Sequence, residues 1–323
     1  MSLFWLTILV ITLLSVNKSK REGVNPFSRN TTESVKGIFI LFVFINHAVP
    51  YIINKGGVLN HWIDMGDFAI RNWMGQLIVA LFLFYSGYGV MCGIKNKGAS
   101  YVQSMPKRRI LKVLLDFDIA VLCFLVLSLI LGSNISFNQI LLSFICWDSL
   151  GNSNWYIFCI LYCYFATWLS FRMTKNPHKA LVLLCFLTII YCVTMSFLKP
   201  WWWYDTICCF PAGVLCAQYR DKVIDMLKKH FFLLLILLLG GCFIFYEFIH
   251  IGRFAITANI RAVCFCLLVL AVTSRISING AILQWLGKNL FPLYIYQRIP
   301  MIALSSIAGG AYCITFLSSP VHS

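Results

Sequence analysis

Long apolar stretches separated by short polar ones recur along the whole chain. Charged residues bound ten such stretches, at residues 2–16, 37–53, 73–94, 113–131, 154–171, 180–198, 206–219, 231–249, 258–273 and 282–303. Most of them approach the roughly 20 residues that a helix needs to cross a bilayer. The pattern therefore predicts an all-α, polytopic membrane helix bundle of about ten transmembrane helices. The first stretch has no basic n-region and no small-residue cleavage site, so we expect a retained span rather than a signal peptide.

The composition excludes a soluble protein. Apolar residues make up 60% of the 323 residues and charged residues only 11%, against about 25% charged residues in ordinary soluble domains. No internal repeat divides the chain, and the apolar stretches are spread evenly along it. We therefore expect one membrane-embedded domain over residues 1–323.

The positive charge of the chain indicates an orientation in the membrane. The 26 Lys and Arg exceed the 11 Asp and Glu, giving a formal charge of +15. Nineteen of these cations fall in one set of alternating loops and five in the other. By the positive-inside rule the richer set is cytoplasmic and both termini lie outside. The charge is thus explained without a nucleic-acid partner, and we expect none.

The cysteines indicate neither a disulfide framework nor a metal site. The chain has fourteen of them, most inside apolar stretches, with no Cys-x-x-Cys motif and no Cys/His spacing typical of metal ligands. A free cysteine in an apolar setting behaves as a small hydrophobic residue. We therefore expect no metal.

His47 is the first candidate for chemistry, because ionisable residues at membrane depth are costly and usually functional. It follows Lys36 by eleven residues, which at about 100° each come within about 20° of three full helical turns. Both residues thus share one face, about 16 Å apart. A cation could hold a donor at one end while a neutral histidine takes a proton at the other. On spacing alone, however, a positive-inside anchor and an interfacial histidine are the favoured interpretation.

The remaining candidates are weaker. Ser86 lies in a small-residue segment that suits a ligand passage or plain helix packing. Arg109 and Lys112, three apart at a helix start, suit phosphate groups but are also what topological anchoring produces. Asn154 and Trp155 lie near a helix start, where capping residues and interfacial aromatic residues are routine. The pair Glu247 and His250 ranks below His47, because a solvated pair is expected so close to the interface.

The order of these motifs resembles the integral-membrane acyltransferase family 3. The resemblance rests on Lys36 and His47, FLFYSGYGV, KRRILK at a helix start, NWYIFCILYCY, and WLGKNLFPLYIYQ near the end. It covers about residues 34–300 and implies a core over 34–303. Residues 1–33 are then an extra N-terminal span with a basic loop, and residues 304–323 a C-terminal tail or a partial span.

The resemblance assigns roles by position. His47 matches the family histidine regarded as the catalytic base, and Lys36 stands at the family arginine, from which ten intervening residues separate it. Arg109 and Lys112 match an Arg-x-x-Arg motif. Trp155 matches a tryptophan that begins a later span, Asn154 stands where histidine is common, and Gln297 stands where many members end a Tyr-Leu-x-His motif. Arg and Lys are not interchangeable where a planar fork grips phosphate, so these departures indicate a divergent subfamily or a weakened donor site.

The resemblance implies an O-acyltransferase of the inner (cytoplasmic) membrane. The expected donor substrate is cytoplasmic acyl-CoA, most simply acetyl-CoA, with no tightly bound cofactor. The acceptor would be a sugar hydroxyl of an envelope or exported polysaccharide or of a lipid-linked glycan, and membrane lipids would surround the protein. We expect His47 to be catalytic and the phosphates to bind Lys36, Arg109 and Lys112, with Ser86, Asn154, Trp155 and Gln297 near the substrates. A flippase or a non-catalytic assembly protein for a lipid-linked glycan is the alternative.

Overall fold

A computed structural model of the chain describes residues 2–18, 25–53, 72–251 and 254–307. These residues are almost entirely helical. The α-helices are α1 (Ser2–Ser15), α2 (Arg29–Ile53), α3 (Leu77–Lys97), α4 (Ala99–Met105), α5 (Lys112–Ile130), α6 (Phe137–Phe144), α7 (Trp155–Met173), α8 (Pro177–Leu198), α9 (Cys209–Gln218), α10 (Arg220–Lys229), α11 (Phe231–Ile251), α12 (Ala255–Thr273), α13 (Ala281–Lys288), α14 (Leu290–Tyr296) and α15 (Arg298–Ile307). A π-helix, Pro106–Leu111, joins α4 to α5, and a 3-10 helix spans Trp201–Trp203.

One small sheet joins the segment after α1 to the segment after α12. Strand β1 (Val16–Lys18) pairs antiparallel with β2 (Ile276–Ile278), so that Val16 lies opposite Ile278. Strand β1 directly follows α1, and strand β2 lies just beyond α12. The pairing therefore brings the end of α1 and the end of α12 to the same end of the bundle.

The expectation of a multi-span membrane protein is confirmed. Seven of the described helical segments are long and apolar enough to cross a membrane: Arg29–Tyr51, Leu77–Lys97, Ala99–Ile130, Trp155–Met173, Pro177–Leu198, Phe231–Ile249 and Ala255–Thr273. The predicted count of about ten is not confirmed among the described residues. The stretches 2–16, 206–219 and 282–303 are helical only in shorter pieces, and residues 308–323 of the expected tail lie outside the description.

The stretch 282–303 is divided because two prolines interrupt it. The structure breaks it into α13, α14 and α15, which meet at Asn289 and Gln297. Pro292 and Pro300 both lie in the first turn of a new helix, where a missing N–H costs no intrahelical hydrogen bond. A continuous helix would instead lose a hydrogen bond at each proline and crowd the preceding turn.

Glycines let two pairs of helices cross with their backbones in contact. A Cβ atom at Gly87 of α3 would lie 2.1 Å from the carbonyl oxygen of Phe210, and one at Gly213 of α9 would lie 1.9 Å from that of Phe84. The crossing of α2 and α13 has the same construction, because a Cβ at Gly37 would lie 2.0 Å from the carbonyl oxygen of Leu283. Small residues at such interfaces drive close packing in membranes. These crossings fix the positions of α2 and α3 in the bundle.

We expect Gly87→Ala to destabilise the protein by about 1–3 kcal/mol, because the added methyl group meets backbone that cannot rotate away. Gly89, two residues further along α3, has no atom near its own Cβ position within 4 Å. Gly89→Ala should therefore gain about 0.5–1 kcal/mol of helix propensity and is the matched control. Thermal unfolding in detergent measures both variants, and equal melting temperatures would contradict the close crossing.

Polar contacts join cation-rich segments that are predicted to be cytoplasmic, at one end of the bundle. The ammonium group of Lys95 donates to the carbonyl oxygen of Gln218 at 3.3 Å, and the guanidinium of Arg275 donates to that of Lys228 at 3.1 Å. Lys95, Lys228 and Arg275 come from loops that the charge pattern places on the same side, and Gln218 ends the stretch that leads into one of them. The contacts agree with the predicted alternation of loops, while the orientation in the membrane stays a prediction.

An aromatic cluster around Lys199 lies at the opposite end. The Lys199 ammonium donates to the carbonyl oxygen of Trp147 at 2.8 Å and lies 4.0 Å and 4.5 Å from the ring centroids of Trp147 and Trp203. Burial lowers the pKa of this ammonium group, and the charge of Asp148 raises it in part. A cation held between indole rings is stabilised by their negative faces.

Candidate functional site

His47 lies in the second half of α2, half-buried, against a residue that the sequence interpretation did not single out. Its ring centroid is 6.1 Å from that of Tyr294 in α14. Tyr294 has only 2% of its surface exposed, and its ring centroid lies 5.1 Å from that of Tyr156 in the first turn of α7. Three helices distant in sequence thus bring His47 into a buried aromatic environment.

Ser86 joins this environment from α3. The side chains of Tyr156 and Tyr164, two turns apart on α7, both lie beside Ser86. The neighbouring glycines have different surroundings, since Gly87 packs against α9, whereas a Cβ atom at Gly89 would meet no atom within 4 Å. The small-residue segment is therefore both a packing surface and, at Ser86, a polar position in the interior.

Arg109 reaches the same interior from the π-helix. Its guanidinium faces the side chains of Tyr101 and Tyr164, with its central carbon 6.0 Å from the Tyr101 ring centroid. Because Tyr164 also lies beside Ser86, a continuous line of side chains leads from Arg109 through Tyr164, Ser86, Tyr156 and Tyr294 to His47. The line joins the predicted phosphate anchor to the predicted base.

The π-helix separates the two cations of the KRRILK segment. The backbone N–H of Lys112 donates to the carbonyl of Lys107, five residues earlier, which widens the turn. Arg109 is half-buried against the tyrosines, whereas Lys112 is exposed. A regular helix would have placed these two residues side by side. The role of Lys112 in donor binding stays a prediction.

Lys36 lies in a separate charged group at the beginning of α2. Its charged neighbours are Glu33 and Arg29, on the preceding turns. The Glu33 side chain is only 7% exposed, and its carboxylate lies 2.7 Å from Nε of Arg29 and 3.8 Å from Nζ of Lys288. A buried carboxylate needs such cations to offset its desolvation.

Glu33 is a structural residue that the sequence interpretation missed. Its spacing of four residues from Arg29 and three from Lys36 is the available signal, since such residues neighbour each other on a helix. Its pairing with Lys288 connects α2 to α13. The group therefore holds the beginning of the helix that carries His47.

Two of the weaker candidates make local contacts with the backbone. Asn154 donates from Nδ2 to the carbonyl oxygen of Cys146 at 3.0 Å. Cys146 has a φ of 60°, and this hydrogen bond helps to hold its backbone. Gln297 donates to the carbonyl of Tyr294 at 3.1 Å. Trp155 is half-buried, with its ring centroid 6.1 Å from that of Tyr156. The substrate-binding roles predicted for Asn154, Trp155 and Gln297 stay predictions.

Two further expectations can be compared with the described residues. Glu247 is exposed near the end of α11, and the side chain of His250 lies outside the description. Within the described ranges, no group of three or more His, Cys, Asp or Glu side chains could hold a metal ion, and the thirteen described cysteines are free thiols.

The class of protein follows from the bundle and from a comparison with protein families. The chain is a multi-pass membrane protein, and the model of the acyltransferase domain of family 3 matches residues 32–319. The chain belongs to acyltransferase family 3 and is a membrane acyltransferase. The matched region contains His47, Arg109 and the side chains between them. No curated protein and no solved structure gives a significant match.

Proposed function

We propose that the protein transfers an acyl group, most simply acetyl, from cytoplasmic acyl-CoA to a sugar hydroxyl. The acceptor is an envelope or exported polysaccharide or a lipid-linked glycan, and the enzyme lies in the cytoplasmic membrane. The observation that carries the proposal is the line of contacts from Arg109 to His47 inside a family acyltransferase domain. It connects a cation suited to phosphate with a group suited to proton transfer.

The proposed reaction uses His47 as a general base. Its neutral imidazole takes the proton of the sugar hydroxyl as the oxygen attacks the thioester carbonyl. The carbon–sulfur bond then breaks, and the imidazolium returns the proton to the departing thiolate, so that an ester and free CoA leave. Transfer through an acyl-histidine intermediate is the second route with the same balance.

The donor phosphates are proposed to bind Arg109, with Lys36 and Lys112 as further cations at the same end of the bundle. Arg109 suits this role best, because its planar guanidinium group can make two parallel hydrogen bonds to a phosphate. It also lies at the start of the line of side chains that leads to His47. The exposed Lys112 would contribute mainly long-range attraction. The aromatic residues between Arg109 and His47 exclude water, which would otherwise compete for the thioester.

Isotope transfer tests the proposal. Vesicles containing the protein receive acetyl-CoA labelled in the acetyl group together with the lipid-linked glycans of the host envelope. The expected result is labelled glycan and free CoA in equal amounts. Movement of glycan across the vesicle without cleavage of the thioester would instead support the flippase. Neither activity, from protein shown to be folded, would favour the assembly protein.

The proposed donor side predicts the topology. Ser100, exposed in α4, and Asn134, exposed after α5, lie at opposite ends of the α4–α5 segment. In intact cells a membrane-impermeant thiol reagent should modify Asn134→Cys and leave Ser100→Cys unmodified until the cells are opened, because the cation-rich loops are cytoplasmic. The parent protein controls for its own thiols. The reverse pattern would exclude entry of acyl-CoA from the cytoplasm at Arg109.

A further inference from the structure

Tyr294, whose ring packs against His47, carries a buried hydroxyl group. Its polar neighbours are the side chains of Ser153 and Arg298, and no hydrogen bond of normal geometry joins it to any residue that the structure describes. A buried hydroxyl without a hydrogen bond costs about 1–3 kcal/mol relative to a satisfied one. A phenylalanine would fill the same space at no such cost, so the hydroxyl requires another explanation.

Arg298 connects the same region to the end of α2. Its guanidinium donates to the hydroxyl of Tyr51 at 3.2 Å, and Tyr51 lies four residues after His47, on the same face of α2. Tyr294 and Arg298 are themselves four residues apart, on either side of the junction between α14 and α15. The two residues therefore contact α2 at successive turns, one at His47 and one at Tyr51.

We infer that Tyr294 and Arg298 are a positioning pair for His47, an inference that rests on the proposed function. Arg298 fixes the turn of α2 that follows His47, and the ring of Tyr294 packs against the imidazole. When the acceptor is bound, the Tyr294 hydroxyl serves as a hydrogen-bond partner for both the imidazole and Ser153. Neither residue needs to touch the substrates.

The junctions of α14 make this arrangement possible. Pro292 and Pro300 end the preceding helices, so α14 is a separate segment of seven residues. The Tyr156 ring packs against Tyr294 from α7, and the His47 ring packs against it from α2. A buried side chain packed between two helices is held close to one orientation, and a misplacement of about 1 Å in an active site can cost about 100-fold in rate.

Tyr294→Phe tests the hydroxyl, because it keeps the ring and its packing. We expect kcat for acetyl transfer to fall roughly 10- to 100-fold, with KM for acetyl-CoA close to the parent value. The melting temperature should be at or above that of the parent, because the unsatisfied hydroxyl is removed. Tyr191→Phe is the matched control, since Tyr191 is equally buried and its hydroxyl donates to the carbonyl of Trp203 outside the site. It should lower the melting temperature and leave kcat unchanged.

Arg298→Lys and Arg298→Met test the second member. Lysine retains the charge and can still donate to Tyr51, so it should restore most of the kcat that methionine loses. If Tyr294→Phe and Arg298→Met both retain the parent kcat while His47→Ala is inactive, the positioning inference is wrong and the proposed function stands.

A readout independent of acyl transfer keeps the inference testable if the proposed reaction fails. Diethylpyrocarbonate modifies accessible imidazole, and mass spectrometry of the peptide containing His47 gives the rate. Tyr294→Ala removes the ring that packs against His47 and should raise this rate severalfold, whereas Tyr191→Ala should not. Equal rates in the parent and in Tyr294→Ala would overturn the inference, whatever reaction the protein catalyses.

Discussion

Replacing His47 by alanine should lower acyl transfer by about 10²- to 10⁴-fold, the usual cost of removing a general base. The substitution removes the imidazole beside Tyr294 and leaves the more distant Arg109 side chain in place. Binding of acetyl-CoA should therefore remain close to that of the parent. The measurement is label transfer to glycan in vesicles, together with calorimetric titration of acetyl-CoA.

His178→Ala is the control for this experiment. His178 is exposed at the start of α8, and its ring lies 3.1 Å from the hydroxyl of Tyr219, away from the contact line. It should retain parent activity. Modification of glycan at the parent rate by well-folded His47→Ala protein would refute the role of the base, and the flippase or the assembly protein would then be the better hypothesis.

Arg109→Ala should weaken binding of acetyl-CoA by roughly 10- to 150-fold, because it removes a charge-assisted hydrogen bond worth about 1.5–3 kcal/mol. Arg109→Lys should recover only part of the loss, since an ammonium group cannot grip phosphate with a fork. Calorimetric titration measures both variants. Turnover at saturating acetyl-CoA should change less than affinity, because the anchor lies away from the reacting atoms.

Arg108→Ala is the matched control for the anchor. Arg108 has the same charge and lies in the same π-helix, but its side chain is exposed, so solvent and salt screen its charge. It should change affinity by less than about threefold. Equal losses for Arg108→Ala and Arg109→Ala would mean that the segment attracts acyl-CoA only through its net charge.

Part of this organisation is already determined by local properties of the sequence. The apolar stretches predict the long helices because the length of a stretch and its hydropathy are read directly from neighbouring residues. The face shared by Lys36 and His47 follows from the helical period alone. The alternation of cation-rich loops likewise predicts which loops meet at one end, as the contacts of Lys95 and Arg275 show.

The interruptions of the helices are only partly evident in the sequence. Pro292 and Pro300 are visible signals, yet the apolar stretch around them is long enough for a single span, and the prediction of one helix over 282–303 was not confirmed. The π-helix has no comparable signal. It moves Lys112 away from Arg109, because one wide turn changes the angular position of every residue after it.

The composition of the site was decided by tertiary structure. Tyr294 is 247 residues from His47 in the chain, and Tyr156 comes from a third helix. Glu33 is paired with Lys288 in the same way. Hydropathy and helical period specify which face of each helix is apolar, but not which neighbour that face will meet. The sequence thus determined the helices and the candidate base, whereas close packing at the glycine crossings decided which side chains surround it.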